Sequence, residues 1–284
     1  SRIKFMNRLS YRGTSFNLPS NKKLWTVCGE LDSISELQEC ARRKFMMLYD
    51  ERKAATPSIT FPDFTSEQAA ITGVHLGEFK VQNYEDKLFS SYLIYPFSVF
   101  DTFLDDFVSD LQKLNIPLKV GKKASKPEKL AQILKQLKVR KIKPNIDQFK
   151  MDLFDYYRIR RNVVAHNLPA SKYKSAFSKI YTHRSDILAI YPNQPNALDK
   201  SMGMSYDDFI VCTANLKNIA DLLTVEVGKS LNWEKIGKSR PSWIDYKQLK
   251  TMHFDTEKKI GHIRTTVRSI YGISLTDKEC KAFI

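Results

Sequence analysis

The sequence has no apolar run of about 20 residues, the length a helix needs to cross a bilayer. It also lacks a charged and then apolar amino terminus closing on small residues, so neither a spanning helix nor a secretory signal is expected, and the reading is a cytoplasmic protein with no membrane partner. Cysteine is scarce and dispersed. Cys28, Cys40, Cys212 and Cys280 form no CxxC pair and no Cys/His set at zinc spacing, which argues against a metal staple or disulfide scaffold and predicts free thiols, mostly buried. No phosphate-cradling GxxxxGK[ST] loop occurs, since "GKKAS" at 121–125 lacks the first glycine and follows no clear strand. A nucleophile elbow, an HExxH pair and histidines at ligand spacing are missing too, so neither a metal nor a cofactor is expected. Negative charge is in deficit: 31 Asp and Glu face 46 Lys and Arg, a net +15. Excess positive charge of that size attracts phosphate polymers, and nucleic acid becomes the leading partner class.

What is present is mainly helical periodicity. A length of 284 residues with 42% hydrophobic content buries a sizeable core, as one domain with extensions or two small ones. The spacing predicts a helix over 33–55, opened by a Ser33-x-x-Glu36 capping box and carrying Leu37, Ala41, Phe45 and Leu48. Pro57, Pro62 and Gly73 then break the pattern, and "SITFPDF" with "AITGVHLGEFKVQ" reads as short strands or an irregular connection. From Tyr84 the helical pattern resumes, with Pro96 kinking or restarting it. The strongest amphipathic stripe follows: Phe97, Phe100, Phe103, Leu104, Phe107, Val108, Leu111 and Leu114. Leu130, Ile133, Leu134 and Leu137 suggest a short helix within the basic stretch 119–143. Another helix runs from about Ile146 to Pro169, and a long one follows Ser205, capped by a Ser205-x-x-Asp208 variant. The tail is less regular until a small helix at "TEKKIGHIRTTVRSIYGI". The aromatics, 12% of the chain, fall mostly on helical stripes and are core before they are stacking platforms. The simplest architecture is an all-α bundle in which 84–231 is the central unit, 1–83 an amino-terminal helical or irregular region and 232–284 a carboxy-terminal extension.

Chemistry concentrates in "DYYRIRRNVVAHN" at 155–167. At about 100° per residue, Ile146, Phe149, Leu153, Tyr157 and Val164 share a core-facing sector. Asp155, Arg158, Asn162 and His166 line the opposite one, with Arg161 on the flank and Arg160 nearer the core side. Asn162 stands one turn from His166, close enough for its amide to orient the ring, which suits acid-base work. The bland readings are a capping histidine at a helix end and a solvated arginine face paired with Asp155 or Asp152.

"RRNVVAHN" resembles the RxxxxH signature, in its RNxxxH form, of the HEPN superfamily, with Arg161, Asn162 and His166 at the matching positions. "FSVFDTFLDDF" upstream is similar to the helix that in several of its families holds an acidic residue facing the motif, here Asp101. The resemblance covers roughly 84–231. It implies a HEPN-like helical bundle that dimerises with the two motifs meeting across a shared cleft, and a metal-independent endoribonuclease of toxin, phage-defence or RNA-processing type. An antitoxin or regulatory protein is a further implied partner. Three arginines compete for the motif role, and the helical wheel favours Arg158 over Arg161 for stacking with His166.

The connection Lys119–Lys143, with Glu128 as its single acidic residue, offers Lys122, Lys123, Lys138 and Arg140 as RNA-docking cations, to which Arg160 is added. Solubility or docking of an acidic protein partner explains the same charges. Two other functions stand beside the ribonuclease. "PDF" at 62–64 with "EFK" at 78–80 imitates a magnesium-dependent PD-(D/E)xK nuclease through Asp63, Glu78 and Lys80, although no apolar parallel-sheet pattern surrounds it. A HEPN-like module that binds RNA or protein without catalysis is the other.

Overall fold

The computed structural model describes residues 16–76, 84–121, 126–169, 171–201, 203–252 and 255–284. Among these there are thirteen helices and no strand. In chain order they are α1 (Pro19–Ala55), α2 (Phe61–Thr72), α3 (Tyr84–Tyr92), α4 (Ile94–Lys113), α5 (Lys126–Val139), α6 (Gln148–Ala165) and α7 (Ser171–Tyr181). Then come α8 (Arg184–Ile190), α9 (Tyr206–Ser230), α10 (Trp233–Lys238), α11 (Tyr246–Thr251), α12 (Thr256–Tyr271) and α13 (Asp277–Lys281). The fold is all-α.

Contacts divide the chain into two compact units that do not follow sequence order. One gathers the residues through Val27, Tyr95–Asp155 and Ala214–Ile284; the other gathers Cys28–Ile94 and Tyr156–Thr213. The long helices α1, α6 and α9 each contribute to both.

In the first unit α4 buries the predicted stripe: Phe97, Phe100, Phe103, Leu104, Phe107, Leu111 and Leu114 are all inaccessible, and Val108 is half-buried. Phe154 of α6 meets Phe97 and Phe100 at ring separations of 5.6 and 5.7 Å. Leu130, Ile133 and Leu137 bury the apolar face of α5. Residues 232–284 belong to this same unit, with Trp233, Ile236, Tyr271 and Phe283 buried and Trp243 packed on both Tyr271 and Phe283. Gly237 is where α10 meets the last turn. A Cβ there would lie 2.7 Å from the Phe283 ring and 2.8 Å from the Ala282 carbonyl carbon. The helix propensity that Gly237→Ala gains, up to about 1 kcal/mol, is smaller than the overpacking cost of about 3 kcal/mol against backbone. The variant should therefore lower the urea midpoint, and an unchanged midpoint would show that the terminal turn moves aside freely.

The second unit corrects two local expectations. α1 begins at Pro19, so Ser33 caps nothing; its hydroxyl donates to the Gly29 carbonyl inside the helix at 3.1 Å. Apolar positions between 19 and 33 carry the helix through a signal that resembles a start. The segment around Pro62 is helical. Thr60 and Asp63 form the capping box of α2, with Pro62 in the first turn where a missing N–H costs nothing. Asp63 is thereby engaged as a cap, while Glu78 and Lys80 lie outside the described residues. Phe45 and Tyr49 of α1 pack against Phe61 and Phe64 of α2, with Phe45 and Phe64 5.1 Å apart and Tyr49 and Phe61 5.2 Å apart.

Candidate functional site

The apolar stripe of α6 continues into the second unit as Tyr156 and Tyr157, both buried. By spacing, the next core position belongs to Arg160, and the structure puts the arginine there at 2% exposure. A guanidinium in such a place needs partners. Its Nη2 donates to the Asp86 carboxylate at 2.5 Å and to Ser90 Oγ at 3.0 Å, and its Cζ lies 4.1 Å from the centre of the Tyr173 ring. Asp86 also accepts the Met204 N–H at 2.7 Å. Arg160 therefore ties α3, α6 and α7 together, and is not the exposed RNA-docking cation expected from the sequence. A run of arginines reads as a solvated face, and the partner that overrides that reading stands 74 residues away.

Asp208 is a fully buried carboxylate and the hub of this unit. It caps α9 as the sequence predicts, accepting the Ser205 N–H at 3.0 Å and the Ser205 hydroxyl at 2.8 Å. The Tyr157 hydroxyl donates to its other oxygen at 3.0 Å, and the Leu198 N–H at 2.9 Å. Burial raises its pKa above the ordinary carboxylate value, outweighing these donors.

The motif occupies the end of α6. Arg161 and Asn162 are half-buried, and Arg161 Nη1 donates to Asn162 Oδ1 at 3.1 Å. Arg158 is half-buried as well. His166 is exposed and follows the last helical residue; its N–H bonds to the Asn162 carbonyl at 3.0 Å. The chain then turns through Asn167, whose φ of 49° is left-handed, and the Leu168 N–H returns to the Val163 carbonyl at 2.9 Å. This closes the helix at Ala165, four residues before Pro169. Val164, expected in the core, is 37% exposed instead, and Leu168 is 41% exposed. The helix has left its packed region by that turn, so the wheel no longer predicts burial there.

Asp101 is half-buried on α4 in the first unit, whereas Arg158, Arg161, Asn162 and His166 belong to the second. Lys122 and Lys123 lie outside the described residues. Lys138 and Arg140 are exposed at the end of α5, and Arg140 donates to the backbone carbonyls of Gln136 and Pro117. Among the described residues no three His, Cys, Asp or Glu side chains gather as a metal site, and no helix is long and apolar enough to cross a membrane. The Asp86–Arg160 pair and the Tyr157–Asp208 bond escape sequence reading because periodicity reports which face is buried and not what meets it. No known protein family, curated protein or solved structure matches the chain.

Proposed function

We propose that this protein is a metal-independent endoribonuclease that cleaves RNA through attack of its own 2′-hydroxyl, acting as a homodimer in a toxin or antiviral-defence role. The observation that carries the reading is the exposed imidazole of His166, one turn beyond a hydrogen-bonded Arg161–Asn162 pair at an open helix end. Such cleavage needs the 2′-hydroxyl deprotonated, the 5′-oxygen protonated as its bond to phosphorus breaks, and the added charge on the phosphoryl oxygens stabilised. An imidazole exchanges protons near neutrality, and a guanidinium holds two phosphoryl oxygens at once. One imidazole takes the 2′-hydroxyl proton, and its counterpart in a second copy gives one to the 5′-oxygen. Val164 and Leu168 expose apolar surface beside His166, which supports self-association at this face. The net charge of +15 supports a polyanionic substrate, with Lys138 and Arg140 as exposed contacts and Lys122 and Lys123 earlier in the same basic stretch. An antitoxin or regulatory protein of acidic character suits the same surface.

The test is to incubate the wild-type protein with mixed RNA in EDTA at several protein concentrations. Fragments ending in 2′,3′-cyclic phosphate, formed at a rate per chain that rises with concentration, are expected. Activity only when magnesium is added back would replace this mechanism with a metal-dependent one, and RNA binding without any cutting would leave a non-catalytic binding module.

A further inference from the structure

Within the second unit a cleft of about 740 Å³ is walled by the rings of Tyr49, Phe61, Tyr84 and Tyr173 and by Asn196 and Asp199 from the loop ahead of α9. Its described lining holds three carboxylates and no lysine, arginine or histidine, in a chain of net charge +15. Two of those carboxylates are engaged, Glu85 by Arg42 and Asp86 by Arg160. Asp199 is exposed and accepts from the Ser201 hydroxyl at 3.1 Å.

The loop that presents Asn196 and Asp199 is held from several sides. Arg184 donates to the carbonyls of Pro195, Ala197 and Leu198 at 2.8, 3.2 and 3.0 Å. Asp207 accepts the Asn196 N–H at 2.8 Å, and Asp208 accepts the Leu198 N–H at 2.9 Å. Leu198 itself is buried at φ 53°, a left-handed backbone that a leucine adopts only when its surroundings over-determine it. Backbone held this way fixes where Asn196 and Asp199 leave the chain.

Aromatic faces stack flat rings. A carboxylate in a wall whose described lining has no lysine, arginine or histidine disfavours phosphate and selects adjacent N–H donors. We propose that this cleft binds the base of a guanine nucleotide in the RNA strand, with the tyrosine rings stacking on it, Asp199 accepting from N1–H and the N2 amino group, and the Asn196 amide donating to O6. Adenine, cytosine and uracil each set a ring or carbonyl acceptor beside their donor, which a carboxylate would repel. The guanidinium of a basic peptide carries similar donors, but the net positive charge of the chain disfavours it and it gives Asn196 nothing to donate to. The assignment rests on the ribonuclease reading for the base being part of an RNA strand. Arg160 holds two of the cleft's lining residues, Asp86 and Tyr173, and His166 lies six residues further, a helix rise of about 9 Å that one or two nucleotides can cover.

The test titrates the full wild-type chain with 5′-GMP, AMP, CMP, UMP and agmatine by calorimetry. A preference for GMP of about tenfold or more is expected. Asp199→Asn should level that preference and Asn196→Ala should reduce it; both side chains are exposed, so folding is preserved and is checked by melting. Equal affinity for the four nucleotides, no binding at millimolar concentration, tighter binding of agmatine, or a preference untouched by Asp199→Asn would each overturn the assignment. Mononucleotide binding requires no cleavage, so the two readings fail separately. A protein that selects GMP but never cuts RNA keeps the cleft and loses the nuclease; one that cuts without selecting GMP does the reverse.

Discussion

His166→Ala is expected to lower RNA cleavage by about 10²- to 10⁴-fold, the usual worth of one positioned proton-transfer group, and to abolish any toxicity that depends on cleavage. Stability should stay within about 0.5 kcal/mol of wild type, because the ring is exposed and its loss opens no cavity. The bond that closes the helix here, from the His166 N–H to the Asn162 carbonyl, is backbone and survives the substitution. Cleavage rates and melting curves of the purified variant measure both quantities. If a folded variant cuts at the wild-type rate, His166 has no part in the chemistry; if it melts far below wild type, the histidine is a cap before it is a catalyst.

The second large effect concerns the fold that supports the motif. Asp208→Ala would strip the buried Tyr157 hydroxyl and the N–H groups of Leu198 and Ser205 of their acceptor. Each buried donor left unpaired costs about 1–3 kcal/mol, and the α9 cap is worth about 1 kcal/mol more. Removing a buried charge offsets part of this, so a net loss of about 3–5 kcal/mol is expected by urea denaturation. That is a large share of the roughly 5–15 kcal/mol a domain has. Asp208→Asn should cost less, since its carbonyl oxygen still accepts from Tyr157 and Leu198. The two variants also separate charge from hydrogen bonding through pH. Burial raises the Asp208 pKa, so the folded chain holds that proton more tightly than the unfolded chain does. Its stabilising contribution is complete below the unfolded carboxylate value, about 3.8, and is lost as pH rises through the higher folded value. Asp208→Asn should flatten that part of the stability profile; an identical profile in wild type and variant would show that the carboxyl does not titrate differently on folding.

The placement of Arg161 and Asn162 together near the end of α6, with His166 just past it, was legible because spacing along a helix sets relative direction. The long stripe of α4, the short helix from Lys126 and the Ser205–Asp208 cap were legible for the same reason: each rests on neighbours within a turn or two. Capping chemistry also explains the failures. Ser33-x-x-Glu36 and Thr60-x-x-Asp63 look alike as strings, yet the first lies inside a 37-residue helix and the second opens one, because the surrounding apolar positions decide whether a start is needed. By itself, then, the sequence determined the helical character, the buried faces of α4 and α5 and the residue types carried near the end of α6. Only the tertiary structure decided that Arg160 is an anchor while Arg161 is half-buried, that Asp208 gathers donors from three separate segments, and that Asn196 and Asp199 line an aromatic cleft. Periodicity carries the direction of a side chain relative to its own helix, and the partner that satisfies a buried charge arrives from a distant part of the chain.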